Sequence, residues 1–91
     1  MAIINFRVSD GGSINYVSYD ENITVENFMT DYLKNHTNYV NTSEKFYTFK
    51  SNGKVLNMQK FRVKLLKDVI VADGIVNIFR KQDTHYSKEN K

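Results

Sequence analysis

The chain has 91 residues, 41% of them apolar, which suits one domain with one core and excludes a wholly disordered polymer. It contains no cysteine, which excludes a disulfide framework, a thiolate nucleophile and a cysteine metal cage, and fits a reducing, intracellular and cytoplasmic setting. The formal net charge of +3 hides two unlike halves: residues 1–44 hold two basic and six acidic residues, whereas residues 45–91 hold eleven basic and four acidic ones. Such a polarised chain can meet an acidic partner, nucleic acid or a membrane surface by long-range attraction, or can mix its two signs on one solvated surface once folded.

No apolar run approaches the roughly 18 residues of a membrane span, and residues 1–10 lack the charged start and apolar core of a signal peptide, so no membrane span is expected. Three glycosylation sequons begin at Asn22, Asn35 and Asn41, and would matter only in a secreted protein.

Ile4, Phe6 and Val8 alternate with Asn5, Arg7 and Ser9, the period of a strand buried on one face. Asp10-Gly11-Gly12 tolerates positive φ and predicts a hairpin. In the return strand, Ser13 to Tyr19, two sets of residues compete for the inner face, and Val17 with Tyr19 is the preferred set. A helix is predicted to begin after Asn22 or Thr24, either of which can cap free amides, with Asp20, Glu21 and Glu26 suiting the positive end of its dipole. Val25, Phe28, Met29, Tyr32 and Leu33 then recur at helical spacing as one apolar stripe, which must cover a sheet.

Residues 35–43 read as a connecting loop with Tyr39 and Val40 as its sizeable apolar residues. Phe46 to Lys50 alternates as a third strand, and Asn52-Gly53 turns it into a short fourth around Lys54 to Leu56. Residues 57–64 form a polar and basic crossover with Met58, Phe61 and Val63 as candidate anchors. Leu65 and Ile70 are expected in the core, Asp73-Gly74 makes a turn, and Val76 and Ile78 point inward from the last strand. One domain, residues 1–81, is expected, followed by a polar, flexible tail at 82–91. Phe28, Tyr32, Leu56, Ile70, Val76 and Ile78 should share its core.

This order predicts an α+β fold in which a mixed sheet of four to five strands wraps over one helix, and here residue-level likeness begins. Thr24-Val25-Glu26-Asn27 is similar to the Thr-Ile-Glu-Asn helix start of ubiquitin, and Gly53-Lys54-Val55-Leu56 resembles its Gly-Lys-Gln-Leu turn. The spacing from Leu65 through Ile70 to Val76 and Ile78 fits the closing segment of that family. The resemblance to the ubiquitin-like β-grasp family covers about residues 3–81, with a three-residue expansion between Leu56 and Leu65.

The departures carry the functional expectation. Conjugated members of the family present a C-terminal diglycine, whereas here the matching stretch is Arg80-Lys81-Gln82-Asp83-Thr84 and the Gly-Gly pair sits at Gly11-Gly12 in the first hairpin. The resemblance therefore implies neither conjugation nor sulfur carriage. The family's usual recognition surface is an apolar patch of leucine, isoleucine and valine. Its isoleucine position falls on Lys50 and its valine position on Phe79, while the first hairpin offers no leucine. A lysine there opposes binding to standard ubiquitin-binding domains and suits a partner with an acidic group, because an unpaired buried ammonium costs several kcal/mol.

Catalytic chemistry has no support in these residues. His36 and His85 lack a spaced carboxylate or cysteine set, the aspartates sit at predicted turns, and the serines show no nucleophile elbow, so no catalytic residue, metal ligand or cofactor is expected. The favoured reading is a noncovalent protein-interaction or scaffold subunit of a larger assembly, using Lys50, Phe79, Lys54, Arg62 and Lys64. The alternative is a nucleic-acid-binding module in which Lys50, Lys54, Lys60, Arg62, Lys64 and Lys67 contact phosphates while Phe79 or Tyr47 stacks on bases.

Overall fold

A computed structural model describes residues 2–80 and contains the expected mixed sheet over one helix. Strands β1 (Ile3–Asp10) and β2 (Ser13–Asp20) form an antiparallel hairpin of matched pairs, from Ile3 opposite Asp20 to Asp10 opposite Ser13. Gly11 and Gly12 make the turn at φ 58° and 98°, a region that residues with a Cβ enter only at a cost, and its twist matches that of the flanking strands. Ile4, Phe6, Val8, Val17 and Tyr19 are buried, so the preferred inner face of β2 is the one observed.

Helix α1 (Val25–Asn35) starts at Thr24, whose Oγ1 accepts a hydrogen bond from the Asn27 N–H at 3.2 Å. All five stripe residues from Val25 to Leu33 are fully buried against the sheet. The Phe28 ring receives Phe6, Tyr19 and Phe49 edge-on, at centroid distances of 5.4, 5.1 and 5.9 Å, so one aromatic nucleus joins the helix to three strands.

Of the two sizeable apolar residues in the loop, Tyr39 packs on the core while Val40 is fully exposed. A 3-10 turn at Glu44–Phe46 precedes β3 (Tyr47–Ser51), so Phe46 lies outside the strand that the alternation assigned it to and is exposed. Asn52 and Gly53 turn the chain at φ 52° and 78° into the two-residue strand β4 (Lys54–Val55). Beyond β4 the Asn57 side chain takes over the backbone's role. Its Oδ1 accepts from the Phe49 N–H at 2.8 Å and its Nδ2 donates to the Tyr47 carbonyl at 3.0 Å.

The crossover contains the short helix α2 (Gln59–Arg62). Phe61 packs against the core as expected, but Met58 and Val63 are exposed and anchor nothing. Leu66, rather than Leu65, fills the core, because the chain enters a 3-10 turn at Leu66–Asp68 that rotates Leu66 inward. Leu65 instead bridges to Thr24, and this stitch continues through the Val25 N–H to the Lys64 carbonyl at 2.9 Å and the Leu66 N–H to the Ile23 carbonyl at 2.7 Å.

Asp73, at φ 62°, and Gly74 turn the chain into β5 (Ile75–Arg80). A Cβ on Gly74 would lie 2.8 Å from the Val71 carbonyl oxygen, which explains glycine there. Strand β5 inserts parallel to β1 and antiparallel to β3, giving the order β2-β1-β5-β3-β4. Phe28, Tyr32, Leu56, Ile70, Val76 and Ile78 share one core, as expected. The tail expected at 82–91 lies outside the described residues.

Candidate functional site

Because α1 covers one face of the sheet, the alternate residues of each strand form an outer face. Phe79 stands on that face opposite Thr48, and Lys50 stands opposite Asn77, so Phe79 and Lys50 are diagonal neighbours on β5 and β3. Phe79 is 53% exposed, an unusual position for a phenylalanine near the middle of a sheet, and Lys50 is exposed. The register extends this row across the sheet through Ser9 to Ile14 on β2, and to Val55 on β4.

Ile14, also 53% exposed, is the apolar contribution of the first hairpin that the search for a leucine missed. The available signal was the alternation of β2: once Val17 and Tyr19 point inward, Ile14 and Tyr16 must point outward. Tyr16 lies opposite Arg7, and an open depression of about 550 Å³ runs between them, bordered by Asn5, Ser18 and Asp73. The Arg7 guanidinium donates to the Asp73 carbonyl at 3.1 Å. Neither Arg7 nor Lys50 takes part in an ion pair among the described residues. The face thus offers separated aromatic and aliphatic side chains with two cations that have no carboxylate partner among the described residues.

The other predicted contact residues scatter. Lys54 sits half-buried on the short edge strand, and Lys64 is exposed on the crossover. Arg62 is occupied: its Nη1 lies 2.8 Å from Glu44 Oε2 and its Nη2 3.3 Å from Glu26 Oε2. The hydrogen bond to Glu44 and the two carboxylates hold the guanidinium above its already high ordinary pKa. Arg62 therefore clasps the turn before β3 to α1 and α2 instead of facing a partner, a correction that sequence could not supply because Glu44 is distant along the chain. This clasp is also one place where the acidic and basic halves mix.

Tyr47 is a second correction. It is buried, its ring stacks on Tyr39, and its hydroxyl donates to the Asn41 carbonyl at 2.9 Å, so it has no face left for a base. Lys60 lies over the ring of Phe61 at 5.1 Å, on the crossover with Lys64 and Lys67. His36 closes the C-terminus of α1 and stacks on Tyr32 at 5.3 Å, with its Nε2 3.9 Å from Asp31 Oδ2. The Tyr19 hydroxyl donates to the same Asp31 carboxylate at 2.8 Å, and burial together with that bond pushes its pKa far up. His85 lies outside the described residues. Among the described residues no cluster of three metal-ligating side chains occurs, and no helix is long and apolar enough to cross a membrane.

The sheet order and its covering helix are shared with solved ubiquitin-like structures. The ubiquitin-like domain of the Arabidopsis thaliana protein At2g32350 matches at TM-score 0.72 with 18% identity, over 92% of this chain and 83% of that one. The N-terminal ubiquitin-like domain of the 4931431F19Rik protein matches at 0.64 with 20% identity, over 88% and 76%. A ubiquitin-like protein from Trypanosoma brucei matches at 0.57 with 19% identity, over 88% and 96%. No protein-family model matches the chain, and no curated protein sequence does. The protein has the ubiquitin-like β-grasp fold.

Proposed function

We propose that this domain is a noncovalent protein-interaction or scaffold subunit of an intracellular assembly, neither an enzyme nor a conjugated modifier. The observation that carries this reading is the exposed Phe79 at a diagonal position to the exposed Lys50 on the outer sheet face, Lys50 having no ion-pair partner among the described residues. An aromatic side chain on a rigid strand loses little entropy when covered and can anchor an interface. Lys50 and Arg7, without carboxylate partners among the described residues, suit a partner that brings an acidic group to an otherwise apolar contact. The absence of glycine from residues 81–91, directly after β5, supports the nonconjugating part of the reading.

The test begins with a pull-down from native lysate using tagged protein, with bound protein and nucleic acid both analysed. Affinity for the recovered partner is then measured in a salt series for wild type, Phe79→Ala and the combined Lys60→Glu, Lys64→Glu and Lys67→Glu variant. An interaction subunit loses most affinity with Phe79→Ala. Binding that survives Phe79→Ala but vanishes in the triple variant and at moderate salt would transfer the function to the basic crossover and to nucleic acid. Arg62 is left intact in this design, because its removal would disturb the fold.

A further inference from the structure

Strand β2 forms one edge of the sheet, and its pairing with β1 is one-to-one over all eight residues, without a bulge. It contains no proline, lysine or arginine, and its sole charge, Asp20, lies at its end. Within the strand itself none of the usual devices that blunt an edge, short length, proline, basic side chains or a bulge, is present. Asp10 and Ser13 flank a two-residue turn, which makes them a hydrogen-bonded pair, so the odd residues of β2 bond to β1. The bond from the Glu21 N–H to the Ala2 carbonyl, at 3.0 Å, continues the same alternation. The N–H and C=O groups of Ile14, Tyr16 and Ser18 consequently point away from the sheet, and the Asp20 carbonyl beyond them is taken by the Ile23 N–H at 3.0 Å.

We infer that β2 pairs with β2 of a second copy of this chain, antiparallel about a two-fold axis beside Tyr16, joining two sheets into one. Three observations choose this occupant. The opposite edge, β4, has only two residues and cannot match an eight-residue strand, so a second copy offers one edge of adequate length, namely β2 itself. Such pairing is self-matching and closes as a dimer instead of growing into a fibre. With Tyr16 opposite Tyr16 of the second copy, Ile14 falls opposite Ser18 and every outward N–H and C=O of the three residues finds a partner. A shift by two residues in either direction breaks that match. The same register sets the two Tyr16 rings, each 81% exposed in the single chain, side by side on the outer face and keeps the two Asp20 carboxylates at opposite ends. The paired edge of β2 lies two strands from Phe79, and the inference does not depend on the partner contact proposed there.

The experiment is sedimentation equilibrium on the 91-residue chain from about 10 μM to about 1 mM, a range that brackets the affinity of a small interface. It is combined with amide exchange at the two concentration limits. The mass should rise toward that of a dimer, and the amides of Ile14, Tyr16 and Ser18 should gain protection with concentration while those of β3 do not. Tyr16→Pro removes an outward N–H that the monomer does not use and should abolish association. Two further variants keep the backbone donors and test the register. Ile14→Lys with Ser18→Lys opposes like charges and should dimerise about tenfold more weakly than Ile14→Lys with Ser18→Glu, which opposes unlike ones. A monomeric mass throughout, association that survives Tyr16→Pro, or equal behaviour of the two charge variants would overturn the inference. So would edge protection that appears only when an extended peptide is added to a protein that stays monomeric.

Discussion

The ring of Tyr39 lies on the ring of Tyr47 with centroids 4.9 Å apart and planes within 10°, and this stack ties the loop after α1 to the start of β3. The Tyr39 hydroxyl also donates to Asp10 at the end of β1, and the Arg80 guanidinium covers its ring at 5.7 Å. One loop side chain thus touches β1, β3 and β5.

Removing that side chain should be costly for a loop position. Tyr39→Ala is expected to destabilise the protein by about 2–3 kcal/mol, and Tyr39→Phe, which keeps the stack and loses the bond to Asp10, by about 1 kcal/mol. Urea unfolding of both variants checks this. Equal losses would assign the whole effect to the hydrogen bond.

Core register makes a sharper demand. Ile70→Ala and Leu66→Ala should each cost about 2–5 kcal/mol, because both side chains are enclosed and leave a cavity, while Leu65→Ala should cost less. A Leu65 variant as damaging as Leu66→Ala would contradict the inward rotation of the 3-10 turn.

The adjacent pair Leu65 and Leu66 shows why part of the core was legible and part was not. The β1 alternation and the α1 stripe follow simple periods, and the structure keeps both; of the two caps open in the sequence, Asn22 and Thr24, it uses Thr24. Around Leu66 the chain adopts a turn of a different period, so spacing could not tell which leucine enters. On the outer face, Lys50 and Phe79 are singled out by the resemblance to the ubiquitin-like family, and strand alternation is consistent with their outward positions. The loss of Arg62 to Glu44 and of Tyr47 to Tyr39 was not legible, since those contacts depend on where a loop folds back.

The clasp at Arg62 divides unequally between its two carboxylates. Glu44 and Arg62 have side chains only 18% and 21% exposed, whereas Glu26 is 51% exposed. Arg62→Ala, which strands the Glu44 charge, should cost about 1–3 kcal/mol. Glu26→Gln should cost under about 0.5 kcal/mol, since solvent screens that arm. Thermal or urea midpoints distinguish the two. Similar losses would show that both arms are screened alike.

Alkali should unfold the protein through its tyrosines. Burial, aided by the Asp31 and Asp10 carboxylates respectively, raises the Tyr19 and Tyr39 pKa values above the ordinary 10.0, and burial raises that of Tyr32 as well. A folded-state pKa above the unfolded one means that the neutral phenol is favoured by folding. That stabilisation is complete below pH 10 and declines as pH rises beyond it. The urea midpoint should therefore hold steady up to about pH 10 and fall progressively above it, with Tyr19 and Tyr39 ionising together with global unfolding. Ionisation of both within a folded chain would refute this.

Incubation with a ubiquitin-type activating enzyme and ATP should give no thioester from this chain, whose residues 81–91 hold no glycine. An adduct through the C-terminal carboxylate would overturn the nonconjugating part of the proposed function.

The central place of β5 has a consequence for the order in which a growing chain can fold. Strand β1 emerges first, yet its parallel neighbour begins only at Ile75, so the middle of the sheet must wait for nearly all of the described chain to be made. The hairpin of β1 and β2 and the α1 stripe become available much earlier. Until β5 arrives, the inner side of that hairpin has an unfilled gap beside β1 as well as the open side of β2, and both can capture a stray strand. Slow translation before residue 75 should therefore lengthen the period of vulnerability, and a chain truncated at residue 74 should aggregate rather than remain as a smaller folded domain.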